Sequence, residues 1–457
     1  MSELEKIIGI EFFATKSKGI GGELRKRWED FVVEEITPQK EILYALGPNS
    51  ETSRPDGEHG NGGETVGDYT IFTLERHGLY NTFEALDKIA HSLRIGIKRF
   101  SYAGVKDKRA VTTQRVSVWR VDPERLKKLN IKGLYIRDVR RGAEAVKLGD
   151  LWGNHFRITV RGINLEKSEV ELIVKKTCDE IADLGGVPNF FGYQRFGLRR
   201  PLSHLVGTKL VKNEFREAAM LFLAKAYPLE GMDAQEARNY LYETGDFAGA
   251  LKKFPKRLTF ERTMLKHLSQ HPNDILGAFR RIQRGLLMMF IHATQSYLFN
   301  RILSLRHKCG LPLNSAVVGD IVAPVQGASP RDYMLVTEEN ISKINEQVKS
   351  GTLGVAIPLI GYDITLPMFQ PGELVEKILQ EEGLSPSMFR LQSIPEISSK
   401  GGYRLILSKV SDLKVLDISE DEYSENAIKL TISFSLSKGS YATMVLREFM
   451  KTEPTKY

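Results

Sequence analysis

S-Y-A-G-V-K-D-K-R-A-V-T-T-Q-R-V-S-V, residues 101–118, is the stretch from which the rest of the chain is read. An aromatic and a glycine lead into Asp107, which stands among Lys106, Lys108 and Arg109, and Thr112, Thr113 and Gln114 then feed an alternating strand. Nearby cations favour the ionised form of such a carboxylate, as a nucleophile or base requires, and the same cations suit a phosphate-bearing substrate. A solvated turn with a surface acid has the same charge pattern. Working outward, 69–76 (Y-T-I-F-T-L-E-R) alternates as a strand, and Thr82 opens a helix with Phe83, Leu86, Ile89, Ala90 and Leu93 at helical spacing. Downstream, Asp122 before Pro123 predicts a helix start, 134–140 and 155–161 predict strands, and 165–184 predicts an amphipathic helix. Several strands follow one another across short gaps. That order predicts an α+β fold, a mixed and largely antiparallel sheet with flanking helices, rather than a doubly wound one.

Length and composition bound the class. A chain of 457 residues with 42% hydrophobic content builds a substantial core in two or three domains. Lys and Arg exceed Asp and Glu by 65 to 57, a net charge of +8 that suits a polyanionic partner such as nucleic acid. Cys178 and Cys309 stand far apart, which argues against a disulfide framework or a cysteine zinc site and fits a reducing, cytoplasmic setting. The N-terminal stretch lacks the basic-then-apolar pattern of an export signal, and no apolar run approaches a membrane span.

Two further stretches stand out. Residues 23–36 (E-L-R-K-R-W-E-D-F-V-V-E-E-I) set Arg25, Lys26 and Arg27 before Trp28 and a short strand, either as the basic edge of a groove or as an ordinary charged start of a strand. Residues 185–197 (G-G-V-P-N-F-F-G-Y-Q-R-F-G) have loop composition, yet four of the thirteen are aromatic. Rings beside Gln194 and Arg195 can stack on bases, or they can plug the space beneath a sheet. Residues 47–68, rich in Gly, Ser, Asn, Glu and Asp, predict a mobile loop.

From about 203 to 310 helical patterns dominate, over 214–227, 233–242, 246–253, 258–268 and 274–306. His267 and His271 are four apart, a spacing that would set them on one face of a helix, but without a third ligand at matching spacing they read as a surface pair. Strand patterns return at 403–407, 413–416 and 428–436, followed by a helix from Ser440. Residues 1–200 and 390–457 are therefore expected to build one discontinuous domain around a mainly helical insertion, 201–389.

Four blocks carry a resemblance: Y-A-G-V-K-D-K-R-A-V-T-T-Q (102–114), P-N-F-F-G-Y-Q-R-F-G (188–197), A-T-Q-S-Y-L-F-N (293–300) and G-S-Y-A-T-M-V-L-R-E (439–448). Together, and in this order, they resemble the TruD family of tRNA pseudouridine synthases, in its archaeal and eukaryotic branch. The resemblance implies the pseudouridine synthase fold split by a TruD-specific domain. It implies isomerisation of a tRNA uridine, at position 13 in the family, without metal or organic cofactor. The implied partner is tRNA, with no membrane or DNA, and the oligomeric state is left open. By motif position Asp107 matches the catalytic aspartate, Phe191 the aromatic that stacks on the target base, and Asn189 the polar residue near the aspartate. Counting back from Glu29, Asp30 and Phe31, Arg25 matches the basic partner of the aspartate. This chain departs from the family's usual Lys there and has Trp28 where Pro is common, so Lys26 stands as the alternative. Lys106, Gln114 and Arg195 are expected to bind substrate, Lys106 through RNA phosphates together with Lys108 and Arg109. A non-catalytic tRNA-binding protein of the same fold is the competing reading; retention of the acid at Asp107 favours the enzyme. A phosphate-loop reading of G-V-K-D-K fails for want of G-x-x-x-x-G-K-[ST].

Overall fold

The structure, a computed structural model, describes residues 1–46, 67–78, 80–325 and 332–457. The loop expected at 47–68 lies outside the described residues except for Gly67 and Asp68. The chain divides into two compact units. A sheet unit comprises Thr15–Val187, Ser408–Thr452 and Lys456–Tyr457, and a helical unit comprises Met1–Ala14, Pro188–Leu407 and Glu453–Thr455. The chain thus changes unit at 187/188 and 407/408, where the sequence pattern set the boundaries near 200 and 390.

The sheet unit is built on strands β1 (Phe31–Ile36), β2 (Tyr69–His77), β3 (Phe100–Tyr102), β4 (Val111–Trp119), β5 (Leu134–Gly142) and β6 (Gly153–Ile163), with Ser411–Glu420 and Ile428–Ser437 from the C-terminal segment. Their order is Ser411–Glu420, Ile428–Ser437, β6, β1, β4, β2, β5, with β3 alongside β4. β1 and β4 run parallel, Val32 opposite Val111 and Glu34 opposite Thr113. The pairs of β1 with β6 and of β2 with β4 and β5 are antiparallel. The sheet is therefore mixed and largely antiparallel, the predicted class.

Alternation decides what each strand buries. On β2, Thr70, Phe72, Leu74 and Arg76 share one phase. Phe72 and Leu74 pack with Val116 and Val118 of β4 against Leu86, Ile89 and Leu93 of the helix Thr82–Leu93. Asn81 caps that helix, its side chain accepting from the Glu84 amide at 2.8 Å. Phe83, assigned to the buried stripe, is exposed: it occupies a first-turn position that the sheet does not cover. A second cluster joins Phe31 and Val33 of β1, Phe156 and Ile158 of β6, and Ile432 and Phe434 to the helices Lys167–Leu184 and Ala442–Met450. Val33 lies opposite Thr112, which shares its phase with Val116, so both helix groups cover the same face.

The helical unit contains Ser203–Val211, Phe215–Ala224, Met232–Thr244, Phe247–Lys253, Thr259–Leu268, Ile275–Arg280 and Arg284–Lys308. The helix expected over 274–306 is thus two helices, separated by a turn at 281–283 in which Ile282 is buried. A small sheet runs in the order Gly402–Leu405, Leu353–Leu359, Ile321–Pro324, Met334–Leu335. The strand read at 403–407 belongs to this sheet and not to the large one: Leu405 pairs with Ala356 and Tyr403 with Pro358. No helix among the described residues is long and apolar enough to cross a membrane.

Candidate active site

The loop between β3 and β4 carries Asp107 and is pegged to the sheet by buried polar groups. The Gln114 side chain, on β4, donates to the Gly104 carbonyl at 3.3 Å. Thr82 Oγ1 donates to Gln114 Oε1 at 3.0 Å and accepts from the Lys106 amide at 3.0 Å. Gln114 is fully buried. Its expected role in binding substrate is therefore corrected: its hydrogen-bonding groups are used to hold the loop. Lys106 is corrected likewise. Its Nζ is buried against Glu35 Oε2 at 3.0 Å and also donates to Asn154. Burial lowers the Lys106 pKa while Glu35 pulls it back. An ammonium enclosed in this way cannot reach an RNA phosphate. Lys108 is occupied by Glu84 at 2.9 Å, and Arg109 donates to the Arg25 carbonyl at 2.8 Å.

With Lys106 directed inward, the cation at Asp107 comes from far back in the chain. Arg25 Nη2 meets Asp107 Oδ2 at 3.0 Å, with the Asp107 side chain 47% exposed and that of Arg25 19%. Arg25 has φ +55°, a left-handed backbone uncommon outside glycine. Its guanidinium carbon lies 4.1 Å from the centre of the Phe31 ring. Lys26, the alternative partner, instead donates from Nζ to Ser424 Oγ at 2.5 Å. Three residues between the basic cluster and Phe31 form a short 3₁₀ turn, Trp28–Asp30. Asp30 in turn accepts from Arg161 Nε of β6 at 2.8 Å.

Beneath the loop lies a group that sequence reading passed over. Arg76, at the end of β2, is 1% exposed and ranks among the largest fully buried side chains. The signal was present in Y-T-I-F-T-L-E-R: the arginine falls on the same phase as Phe72 and Leu74, a charge on a core-facing position.

In the helical unit, all four rings of 185–197 are buried, so as a group they pack rather than present open faces. Phe191 is 6% exposed; its amide donates to Asn300 Oδ1 at 2.9 Å and its ring meets Phe299 edge to face at 5.5 Å. Arg404 lies over the Phe191 ring at 4.1 Å and Arg195 at 5.5 Å. Arg404 Nε also donates to the Asn189 carbonyl at 2.9 Å and its Nη2 to Asn189 Oδ1, while Asn189 Nδ2 donates to the Leu405 carbonyl at 2.9 Å. The structure thus joins Asp107 with Arg25 in one unit, and Asn189, Phe191 and Arg195 around Arg404 in the other. Arg404 was not singled out from sequence, where it is one cation in a short strand. His267 meets Asp274 Oδ2 at 2.8 Å, and the His271 ring lies 5.1 Å from its own.

Comparison with known proteins bears on this arrangement. The profile of the family described as tRNA pseudouridine synthase D (TruD) matches residues 7–449. A Methanococcoides burtonii protein named as a probable tRNA pseudouridine synthase D is 42% identical over 456 residues, covering 99% of this chain and 98% of that one. A Methanosarcina mazei protein of the same name is 40% identical over 455 residues, with 99% and 98% covered. A crystal structure from Methanosarcina mazei described as TruD superposes with a TM-score of 0.85 at 40% identity, covering 100% of both chains. With the profile spanning nearly the whole sequence and the fold shared from end to end, the chain belongs to the tRNA pseudouridine synthase D (TruD) family.

Proposed function

We propose that this chain converts uridine 13 of tRNA to pseudouridine, with Asp107 as the catalytic carboxylate, Arg25 as the cation that orients it and Phe191 as the ring that stacks on the target base. Membership of the family makes the chain a tRNA pseudouridine synthase, an isomerase. The reaction breaks the bond from C1′ to N1, rotates the uracil and joins C1′ to C5; the hydrogen on C5 is released to water while N1 gains one. Atoms and oxidation state balance without an outside reactant, so a held carboxylate in an electropositive site is a sufficient reacting group.

The observation that carries the reading is the 3.0 Å pair between Arg25 and Asp107. It connects residues 82 apart in sequence and leaves the acid half exposed, as an acid that must meet substrate requires. The bidentate-capable guanidinium fixes the carboxylate direction better than a lysine would. A uridine stacked within tRNA must first be extruded, at a cost of a few kcal/mol, of which stacking on Phe191 recovers ~1 to 3 kcal/mol. Phe191 is 6% exposed with Arg404 and Arg195 over its ring, so a base that stacks on it must displace a guanidinium. The inserted segment within 201–389 is assigned to holding tRNA.

The test is release of tritium from tRNA carrying 5-tritiated uridine. The parent protein should release it and Asp107→Asn essentially none, with tRNA affinity within about threefold. Equal release by both would remove Asp107 from the mechanism; no release by the parent from any tRNA would favour the non-catalytic binder.

A further inference from the structure

We propose that Arg76 is a second positioning residue for the catalytic carboxylate, acting from beneath the loop while Arg25 acts from its open side. The inference rests on the assignment of Asp107 to catalysis. Its first support is placement. On β2 Arg76 lies opposite Thr112 of β4, and Leu74 lies opposite Gln114. Arg76 and Gln114 therefore project from the same face, and Gln114, with Thr82, pegs Gly104 and Lys106 of the Asp107 loop to that face.

Hydrogen-bond satisfaction gives the second support. A guanidinium has five donors. Nη1 of Arg76 donates to the Tyr80 carbonyl, but Nε and Nη2 are buried and have no partner among the described residues. Buried cations are ordinarily paired, because an unpaired one loses its hydration without recompense. Such a group is a poor device for stability, and sites of this kind cluster where function requires them. At 1% exposure it is also no phosphate ligand.

The surrounding charges narrow its role. Burial pushes Arg76 down to about 10, while Asp107 and Glu84 act in the opposite direction. Glu84 is already paired with Lys108, and the other cation under the loop, Lys106, with Glu35. Both Glu84 oxygens are engaged, Oε1 by Lys108 and Oε2 by the Asn81 amide, whereas among the described residues the Asp107 carboxylate accepts only from Arg25, at Oδ2. When a uridine covers the site and excludes water, the local dielectric falls and the attraction between Arg76 and Asp107 strengthens. Arg76 then holds the charge and direction of the acid during the chemical step, without touching the substrate.

The inference separates from a structural role by experiment. In the full-length protein, Arg76→Met should leave Tm unchanged or higher, since it removes an unpaired buried charge. It should leave tRNA affinity within about twofold and lower kcat on the order of 10- to 100-fold; Arg76→Lys should recover part of that loss. A wild-type kcat in Arg76→Met would overturn the proposal. So would a lower Tm or failure to fold, which would make Arg76 a structural residue, or an Arg76→Lys no faster than Arg76→Met. Measuring Asp107→Asn in parallel keeps the two assignments apart: an active Asp107→Asn removes their common premise, whereas an inactive one beside a fully active Arg76→Met removes Arg76 alone.

Discussion

Arg25 adopts a left-handed backbone at φ +55° and still places its guanidinium both over Phe31 and on Asp107. For a residue with a Cβ that conformation costs ~1 to 2 kcal/mol, which the surrounding contacts must offset. The neighbouring Lys26 has no share in the pair, because its ammonium is directed to Ser424. Arg25→Met should therefore lower kcat on the order of 100-fold with little change in tRNA affinity, and Lys26→Met should stay within about twofold of the parent. Steady-state rates on tRNA decide it; comparable losses in both variants would dissolve the distinction between them. The pairing of Arg25 with Asp107 was implied by the family resemblance, counted back from Glu29, Asp30 and Phe31, which left Lys26 as the alternative. The fates of Lys106 and Gln114 could not be read from the sequence. Their partners, Glu35 and Thr82, come from separate elements, and a charge pattern along a loop does not say which side chains turn under it.

Among the elements, β2 and Ile428–Ser437 were legible because core residues recur at alternate positions, Phe72 and Leu74 on the one and Leu430, Ile432, Phe434 and Leu436 on the other. The helix Ser203–Val211 was not. Its sequence, S-H-L-V-G-T-K-L-V, has a glycine and β-branched residues that lower helix propensity, so packing against Arg284–Lys308 decides its conformation. Gly207 shows why glycine stands in the middle: a Cβ there would meet the Phe290 carbonyl oxygen at 2.0 Å and Thr294 Oγ1 at 2.4 Å. Gly207→Ala brings two opposing effects. Propensity favours alanine by ~1 kcal/mol, while overpacking against a backbone oxygen costs ~1 to 3 kcal/mol or more. At 2.0 Å the clash should win, giving a net loss of about 2 kcal/mol and a lower urea midpoint by circular dichroism. A raised midpoint would show that the two helices separate without cost.

At the scale of the whole molecule, the pattern-based boundaries followed the onset of helices near 203. The chain enters the helical unit earlier and leaves it later because 188–200 and 390–407 are tied into it, Asn189 to Leu405 by hydrogen bond and Leu405 to Ala356 by strand pairing. Net charge was legible at once, but not its use. Among the basic residues outside the candidate site, Arg99 donates to the Trp119 carbonyl, Arg257 pairs with Asp233, and Arg280 and Arg284 donate to the carbonyls of Ser393 and Glu396. The side chains of Lys98, Arg140, Lys252, Lys256 and Arg281 are exposed and make no hydrogen bond or ion pair among the described residues, so they can exchange counterions for phosphates without breaking one. Each phosphate neutralised contributes about 0.9 to the slope of log affinity against log salt. If these five meet tRNA, the slope should be about −4 to −5, and replacing Lys252, Lys256 and Arg281 by Gln should flatten it by about 3. The rate constant at saturating tRNA should not change, because none of the three is hydrogen-bonded or ion-paired to Asp107 or Arg25. Filter binding across a salt series decides it: an unaltered slope in the triple variant would assign the phosphate contacts to other cations.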